Sequence, residues 1–535
     1  MRQAPADPAP EKSRLARDSL IVGAATILSR LLGFARDVLI ARLLGAGPVA
    51  DAFLAALRLP NLVRRVLGEG GLNAPFVPLY LAIKQEHGNG AARRFTGEAV
   101  GHLALLLLVL VGLGELFAPW VVLGLAGGFA EEPQTLALAA QYTRLMLPFL
   151  LLTTVAAMLA ALLNAERRFA MAALAPALMN AILIAILGVQ LLQGSEAALA
   201  AQWQALAVSA TGIAHLALIL FALRRIGLPQ PSLRWSPEMT RLVATGGATL
   251  LAASSAQLVL LIATQIASTE PGSVAALYYA DRVFQLPLGF VGVAMGTVVL
   301  SEMAAARAAE QDAMLGRSLA LGLALALPAA TALLALADPI VSVLFEHGRF
   351  GAEDRERTAA ALSALALGLP FAVVAKVFGQ IYFARQRPRL PLIGSGLAVV
   401  AAGGAGFLLA RNGHAAQMAA LAASLAFAVQ AALLGAMLAR EGLWRPRADA
   451  LRPVAAAMLA SGIMLAALAG LGQALDGWLM PDQTALRRML ALAILCGGGL
   501  AAYGAAGWLL GAFGVLRLPS PLAWLHAHPL RKRRG

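Results

Sequence analysis

The chain has 535 residues, of which 60% are hydrophobic and only 13% charged, and its formal net charge is +14. Soluble domains carry about a quarter charged residues, so the composition excludes a soluble protein and points to an all-α polytopic membrane protein. The single cysteine, Cys496, excludes a disulfide framework and a cysteine-based metal site.

In chain order, residues 1–18 read as a polar, Pro/Ala-rich tail, disordered and cytoplasmic, followed by a first helix that is retained rather than cleaved as a signal peptide. Apolar segments then recur, each long enough to cross ~30 Å of hydrocarbon at about 1.5 Å per residue. About fourteen spans are expected: 19–44, 49–83, 95–124, 136–163, 172–193, 202–223, 242–267, 274–306, 318–344, 358–384, 390–410, 415–439, 453–472 and 489–515. Twenty-seven of the 42 lysines and arginines fall in the two tails and every second loop, against six in the alternate loops. By the positive-inside rule this places both termini in the cytoplasm. The basic excess is therefore mainly topological, with some attraction to anionic membrane lipids. No nucleic-acid-binding motif accompanies it.

Two stretches, from Phe129 and from Phe350, share an acidic loop, a Leu-Pro-Phe step at Pro148 and Pro370, and a basic turn at Arg167 and Arg387. They lie in the fourth and tenth spans. An even offset of six helices preserves orientation, so the halves are expected to be parallel repeats about an axis along the membrane normal. The expected plan is an N-lobe at 19–226, a C-lobe at 242–441, a C-terminal helix pair at 449–515 and a basic cytoplasmic tail at 516–535, with a substrate path between the lobes.

Nine basic residues sit inside the spans, six of them in the first two: Arg30, Arg36, Arg42, Arg58, Arg64 and Arg65; the others are Arg144, Arg282 and Lys376. An arginine at the bilayer centre costs about 2.5–3.5 kcal/mol on insertion scales, so such a concentration needs a reason. The second span also holds Asp51, Asn61, Glu69, Pro60, Pro75 and Pro78; prolines interrupt a helix, and broken backbone at membrane depth is tolerated against protein or a watery cavity. Arg58, Asn61 and Arg65 share one helical face. The eighth span opens with Asp281, Arg282 and Pro287. Three readings compete. Arg42 and Arg58, near span ends, are expected to snorkel to an interface. Some charges form structural pairs, such as Arg36 or Arg282 with Asp37 or Asp281. Arg30, Arg36, Arg64 and Arg282 together outnumber the nearby acids, which favours an inward-facing basic cavity for an anionic substrate. Guanidinium suits a diphosphate because its planar fork stays charged and bonds bidentately.

The stretches "TILSRLLGFARDVLIARLLGAGPVADAFLAALRLPNLVRRVLGEGGLNAPFVP", "LYYADRVFQLPLGFVGVAMGTVVLSEM" and "LFEHGRF" resemble the MurJ/MviN family of lipid II flippases, within the multidrug/oligosaccharidyl-lipid/polysaccharide exporter superfamily. The likeness runs from about residue 20 to 390. It implies a fourteen-helix inner-membrane transporter that moves undecaprenyl-diphosphate-linked peptidoglycan precursor, lipid II, to the periplasmic leaflet by alternating access. Arg30, Arg36, Arg64 and Arg282, with Asn61, then take substrate-binding roles. Asp37, Asp51, Asp281 and Arg65 take charge-pairing or gating roles, and the C-terminal helix pair forms a groove for the prenyl tail. Gln285 departs from a glutamate carried by some relatives, which puts a gating role there in doubt. Lys376 and Gln380 face either substrate or packing.

Other classes remain. A flippase for another polyprenyl-diphosphate glycan, or a drug exporter of the superfamily, would share the fold; drug exporters more naturally use carboxylates. A membrane-embedded transferase is disfavoured, because no HExxH, CxxC, GxSxG or Walker pattern occurs, and no cofactor or metal is expected. A scaffolding role toward cell-wall synthesis proteins predicts tolerance of changes at the arginines.

Overall fold

In the computed structural model, the described residues are 9–63, 73–305, 308–385, 387, 389–410, 413–444 and 448–513. They form sixteen α-helices, with one 3-10 turn at Gly127–Glu131 and no strand among the described residues. Ten are long and apolar enough to cross a membrane. The chain is a multi-pass helical membrane protein, and fourteen spans account for its helices.

The helices are α1 Ala9–Leu44, α2 Pro48–Val63, α3 Asn73–Leu116, α4 Ala118–Leu125, α5 Pro133–Ala165, α6 Phe169–Gln193, α7 Ala197–Leu223, α8 Pro237–Ala267, α9 Ser273–Ala305, α10 Ala308–Ala335, α11 Ala337–Phe345, α12 Ala352–Ala384, α13 Arg389–Ala410, α14 Ala415–Arg440, α15 Ala448–Leu479 and α16 Ala485–Leu510. The second and third expected spans meet in α3. That element is two helices broken at Gly88, whose φ of 80° and ψ of 175° suit a residue without a Cβ. Neither α1 nor α9 is among the ten apolar helices, and these two carry the charged motifs.

The chain divides into two compact units, Met1–Gln257 and Leu258–Gly535. In the first, α5 is the hub: it packs on α2, α3, α4, α6 and α7, while α1 packs on α6. In the second, α12 packs on α9, α10, α11, α13 and α14. Helix by helix, α2 to α7 of one unit correspond to α9 to α14 of the other, down to a short helix (α4, α11) ahead of each hub. Both hubs contain the repeat proline, Pro148 or Pro370. Both also receive a serine hydroxyl from the helix two positions on. Ser209 donates to the Leu145 carbonyl at 2.6 Å, and Ser424 to the Ala364 carbonyl at 2.7 Å. Such bonds act as polar glue where lipid offers no hydrophobic drive to associate. Close approach is secured by glycine: a Cβ on Gly368 would stand 2.5 Å from Ser424 Oγ, and one on Gly212 would stand 3.1 Å from Leu152.

Contacts between helix ends respect the alternation read from charge. In the first unit Lys84 pairs with Glu166 at 2.6 Å, joining two loops of the basic set. In the second, Arg387 pairs with Glu441 at 3.6 Å. At the other ends, Tyr142 donates to the Ala198 carbonyl at 3.1 Å, and Glu270 accepts from the Ala415 amide at 2.6 Å. Beyond the repeat, α15 and α16 pair with each other, α15 packs on α10, and α16 on α11.

Candidate functional site

The first cluster is built on α1. Ser29, Gly33 and Arg36 (i, i+4, i+7) share one face of the helix. Against that face lies Asn180 of α6: its amide Nδ2 donates to the Ser29 carbonyl at 3.1 Å, and its Oδ1 accepts from Arg36 Nη1 at 3.0 Å. A Cβ on Gly33 would sit 3.4 Å from the same amide, in ordinary van der Waals contact. Arg36 also donates through Nε and Nη2 to Asp37 Oδ1, at 3.0 and 2.7 Å. The Arg36 side chain is 14% exposed and that of Asp37 1%. Hydrogen bonds to a charged group contribute about 1.5–3 kcal/mol each, so the guanidinium is held from both sides.

Arg30 is exposed. Arg42 is exposed as well, whereas Arg58 is not. The expected snorkelling of Arg58 to an interface is corrected: it is 9% exposed, and Asp51, seven residues earlier, is 1% exposed. The reason is the setting of α2, which packs on both α5 and α7 and is buried from Ala50 to Arg58. Asn61 turns its amide back on its own helix, donating to the Leu57 carbonyl at 2.9 Å. Arg64, Arg65 and Glu69 lie outside the described residues, as does the C-terminal tail.

The second cluster is on α9. Arg282 Nη2 donates to the Tyr278 hydroxyl at 2.7 Å, and its guanidinium carbon lies 4.7 Å from the centre of that ring, within cation–π range. Asp281 accepts from Gln285 Nε2, so Gln285 is a neutral partner of this aspartate. Tyr279, fully buried, packs on Phe345 and Phe350 at 5.4 and 5.7 Å between ring centres. This gives the "LFEHGRF" motif a packing role, since its two phenylalanines clamp the helix that bears Arg282. Lys376 is exposed, and Gln380 is half-buried on the same helix.

Sequence reasoning missed two polar positions. Asn180 was available as an amide in the middle of an apolar span, where a polar side chain is expensive. Arg488, one position before the last expected span, is 5% exposed; it donates to the Ser342 carbonyl at 2.9 Å and pairs with Glu346 at 3.1 Å. Among the described residues no group of His, Cys, Asp and Glu could hold a metal ion. A cavity of about 390 Å³ in the second unit, walled by Phe371, Phe378, Trp444, Leu451 and Val454, is apolar and does not include Arg282.

Comparison with known proteins adds the family. Residues 40–479 match the model of the family described as Lipid II flippase MurJ. A probable lipid II flippase MurJ of Rhizobium meliloti (strain 1021) is 39% identical over 454 residues, covering 83% of this chain and 84% of the relative. The lipid II flippase MurJ of Burkholderia cenocepacia is 32% identical over 467 residues, covering 84% and 89%. A lipid II flippase MurJ solved in an inward closed conformation shares the fold, with a TM-score of 0.75 and 24% identity over 93% of this chain and 100% of that one. The match over most of its length, with relatives above 30% identity, means that the chain belongs to the MurJ family of lipid II flippases, which are transporters rather than enzymes.

Proposed function

We propose that this chain moves lipid II from the cytoplasmic to the periplasmic leaflet of the bacterial inner membrane by alternating access, its diphosphate met by arginines in a central cavity. The observation that carries the reading is Arg36: a cation largely buried on α1, and oriented by Asp37 on one side and a neutral amide on the other. Arg282, oriented by Tyr278, is the cation supplied by α9 of the second unit, and Arg30, exposed on α1, adds a further cation. Family membership supplies the substrate; the arginines supply a reason for it, since guanidinium offsets the desolvation of a diphosphate crossing hydrocarbon. Both termini are cytoplasmic in this reading, on the strength of the lysine and arginine asymmetry. Movement of charged groups also couples transport to membrane potential, at about 2.3 kcal/mol per elementary charge per 100 mV.

The test is replacement of the resident flippase in a bacterium depleted of its own. Restored growth, with lipid II made accessible to an external precursor-cleaving toxin, is expected for the wild-type chain and not for Arg36→Ala or Arg282→Ala inserted at equal levels. Normal growth on either variant as sole copy overturns the role given to that arginine. Failure of the wild-type chain despite full membrane insertion transfers the substrate to another polyprenyl-diphosphate glycan.

A further inference from the structure

Asn180 occupies an unusual position. Helix α6 contains no ionisable residue from Phe169 to Gln193, yet this one amide binds α1 twice, at the Ser29 carbonyl and at the Arg36 guanidinium. Gly33 stands between those two attachment points, with 3.4 Å from a notional Cβ to Asn180 Nδ2.

The chemistry of the amide narrows its role. One end must accept from an arginine while the other donates to a carbonyl that already serves its own helix, and the two ends must lie within one short side chain. Asparagine does both without charge. Aspartate would accept and not donate, and it would put a second carboxylate on a guanidinium that Asp37 already contacts at 2.7 Å. The trio would then carry a net negative charge where an anionic substrate is to be met. An aliphatic residue would leave Arg36 Nη1 without this acceptor and let the guanidinium turn further onto Asp37. We infer that Asn180 is a positioning residue for Arg36, fixing the guanidinium against α6 while leaving the Arg36–Asp37–Asn180 group electrically neutral, so that the cation stays usable by a diphosphate. This inference rests on the proposed substrate-facing role of Arg36.

The experiment is lipid II binding to purified full-length variants in lipid nanodiscs, with thermal stability measured on each. Asn180→Asp is expected to weaken binding at least ten-fold, and Asn180→Ala about three- to ten-fold at near wild-type thermal stability. The decisive variant is the exchange Asp37→Asn with Asn180→Asp, which moves the carboxylate to the other side of Arg36 and restores neutrality. Binding is expected to return to within a few-fold of wild type, a recovery that a purely architectural asparagine does not predict. Wild-type binding by Asn180→Ala or Asn180→Asp, or an exchange variant no better than Asn180→Asp alone, overturns the inference. Arg36→Ala separates the two levels. If it binds lipid II normally, the substrate role of Arg36 falls and takes this inference with it; if it loses binding while the Asn180 variants do not, only the role of Asn180 falls.

Discussion

Replacing Arg488 by methionine keeps the stem of the side chain and removes its fork. In the wild-type chain the guanidinium, near the start of α16, bonds the carbonyl and hydroxyl of Ser342 on α11 and pairs with Glu346 at 3.1 Å. Glu346 also faces Arg355 at 3.4 Å, and Arg355 reaches Asp338 at 3.1 Å. The cost of losing one member therefore depends on which member goes. After Arg488→Met, Glu346 keeps Arg355, so no buried carboxylate is stranded; the loss is about that of a charge-assisted bond, roughly 1.5–3 kcal/mol. After Glu346→Gln, Arg488 remains buried without its counter-ion, and breaking a buried pair from that side costs about 3–5 kcal/mol. Glu346→Gln should thus destabilise more than Arg488→Met, and the double variant by less than the sum. Equilibrium unfolding in mixed detergent micelles reads all three. A larger effect from Arg488→Met, or strict additivity, would refute the assignment of the network as the tie between α16 and the helices it packs on.

Gly97→Ala tests a different contact. The segment between α7 and α8 runs along α3, with the Ser232 amide donating to the Gly97 carbonyl at 3.0 Å. A Cβ on Gly97 would collide with the Gln230 carbonyl oxygen, and one on Gly101 with that of Ser232. Overpacking of this kind costs about 1–3 kcal/mol, and faster proteolysis between residues 226 and 236 should accompany it; unchanged cleavage would show that the segment is not held there. Glu166→Gln tests charge at a helix end outside the spans. Burial raises the Glu166 pKa, but hydrogen bonds from Lys84 and Tyr80 outweigh it and leave the carboxyl below its ordinary value. A depressed carboxyl adds stability that is complete above the unfolded value, about 4.5, and is lost as pH falls through the folded one. Thermal stability of Glu166→Gln should therefore fall less than that of wild type on acidification below about pH 4.5, and parallel acid arms would disprove the linkage.

The spans and the repeat were legible because they are written in local costs. An apolar run of twenty residues, a proline at the same point in two hubs, and arginines crowded on alternate loops each carry their meaning within one segment. Arg36 and Arg282 were legible for the same reason: a cation among leucines is expensive wherever the chain goes next. What could not be read was the other half of each contact. Asn180 is 144 positions from Arg36 and Arg488 is 142 from Glu346, and no periodicity within α1 or α16 selects those partners. The Gly97–Gly101 spacing shows how a local signal misleads, since small residues four apart suggest helix against helix, whereas here they receive an extended segment. Arg58 makes the converse error. Its place near a span end suggested an interface, and only the packing of α2 on both α5 and α7 decides that it is buried. Sequence thus shows where a charge has to be compensated, and the fold decides by what. A neutral amide or hydroxyl stranded in an apolar span carries the same kind of signal, because it too costs free energy until it finds a partner.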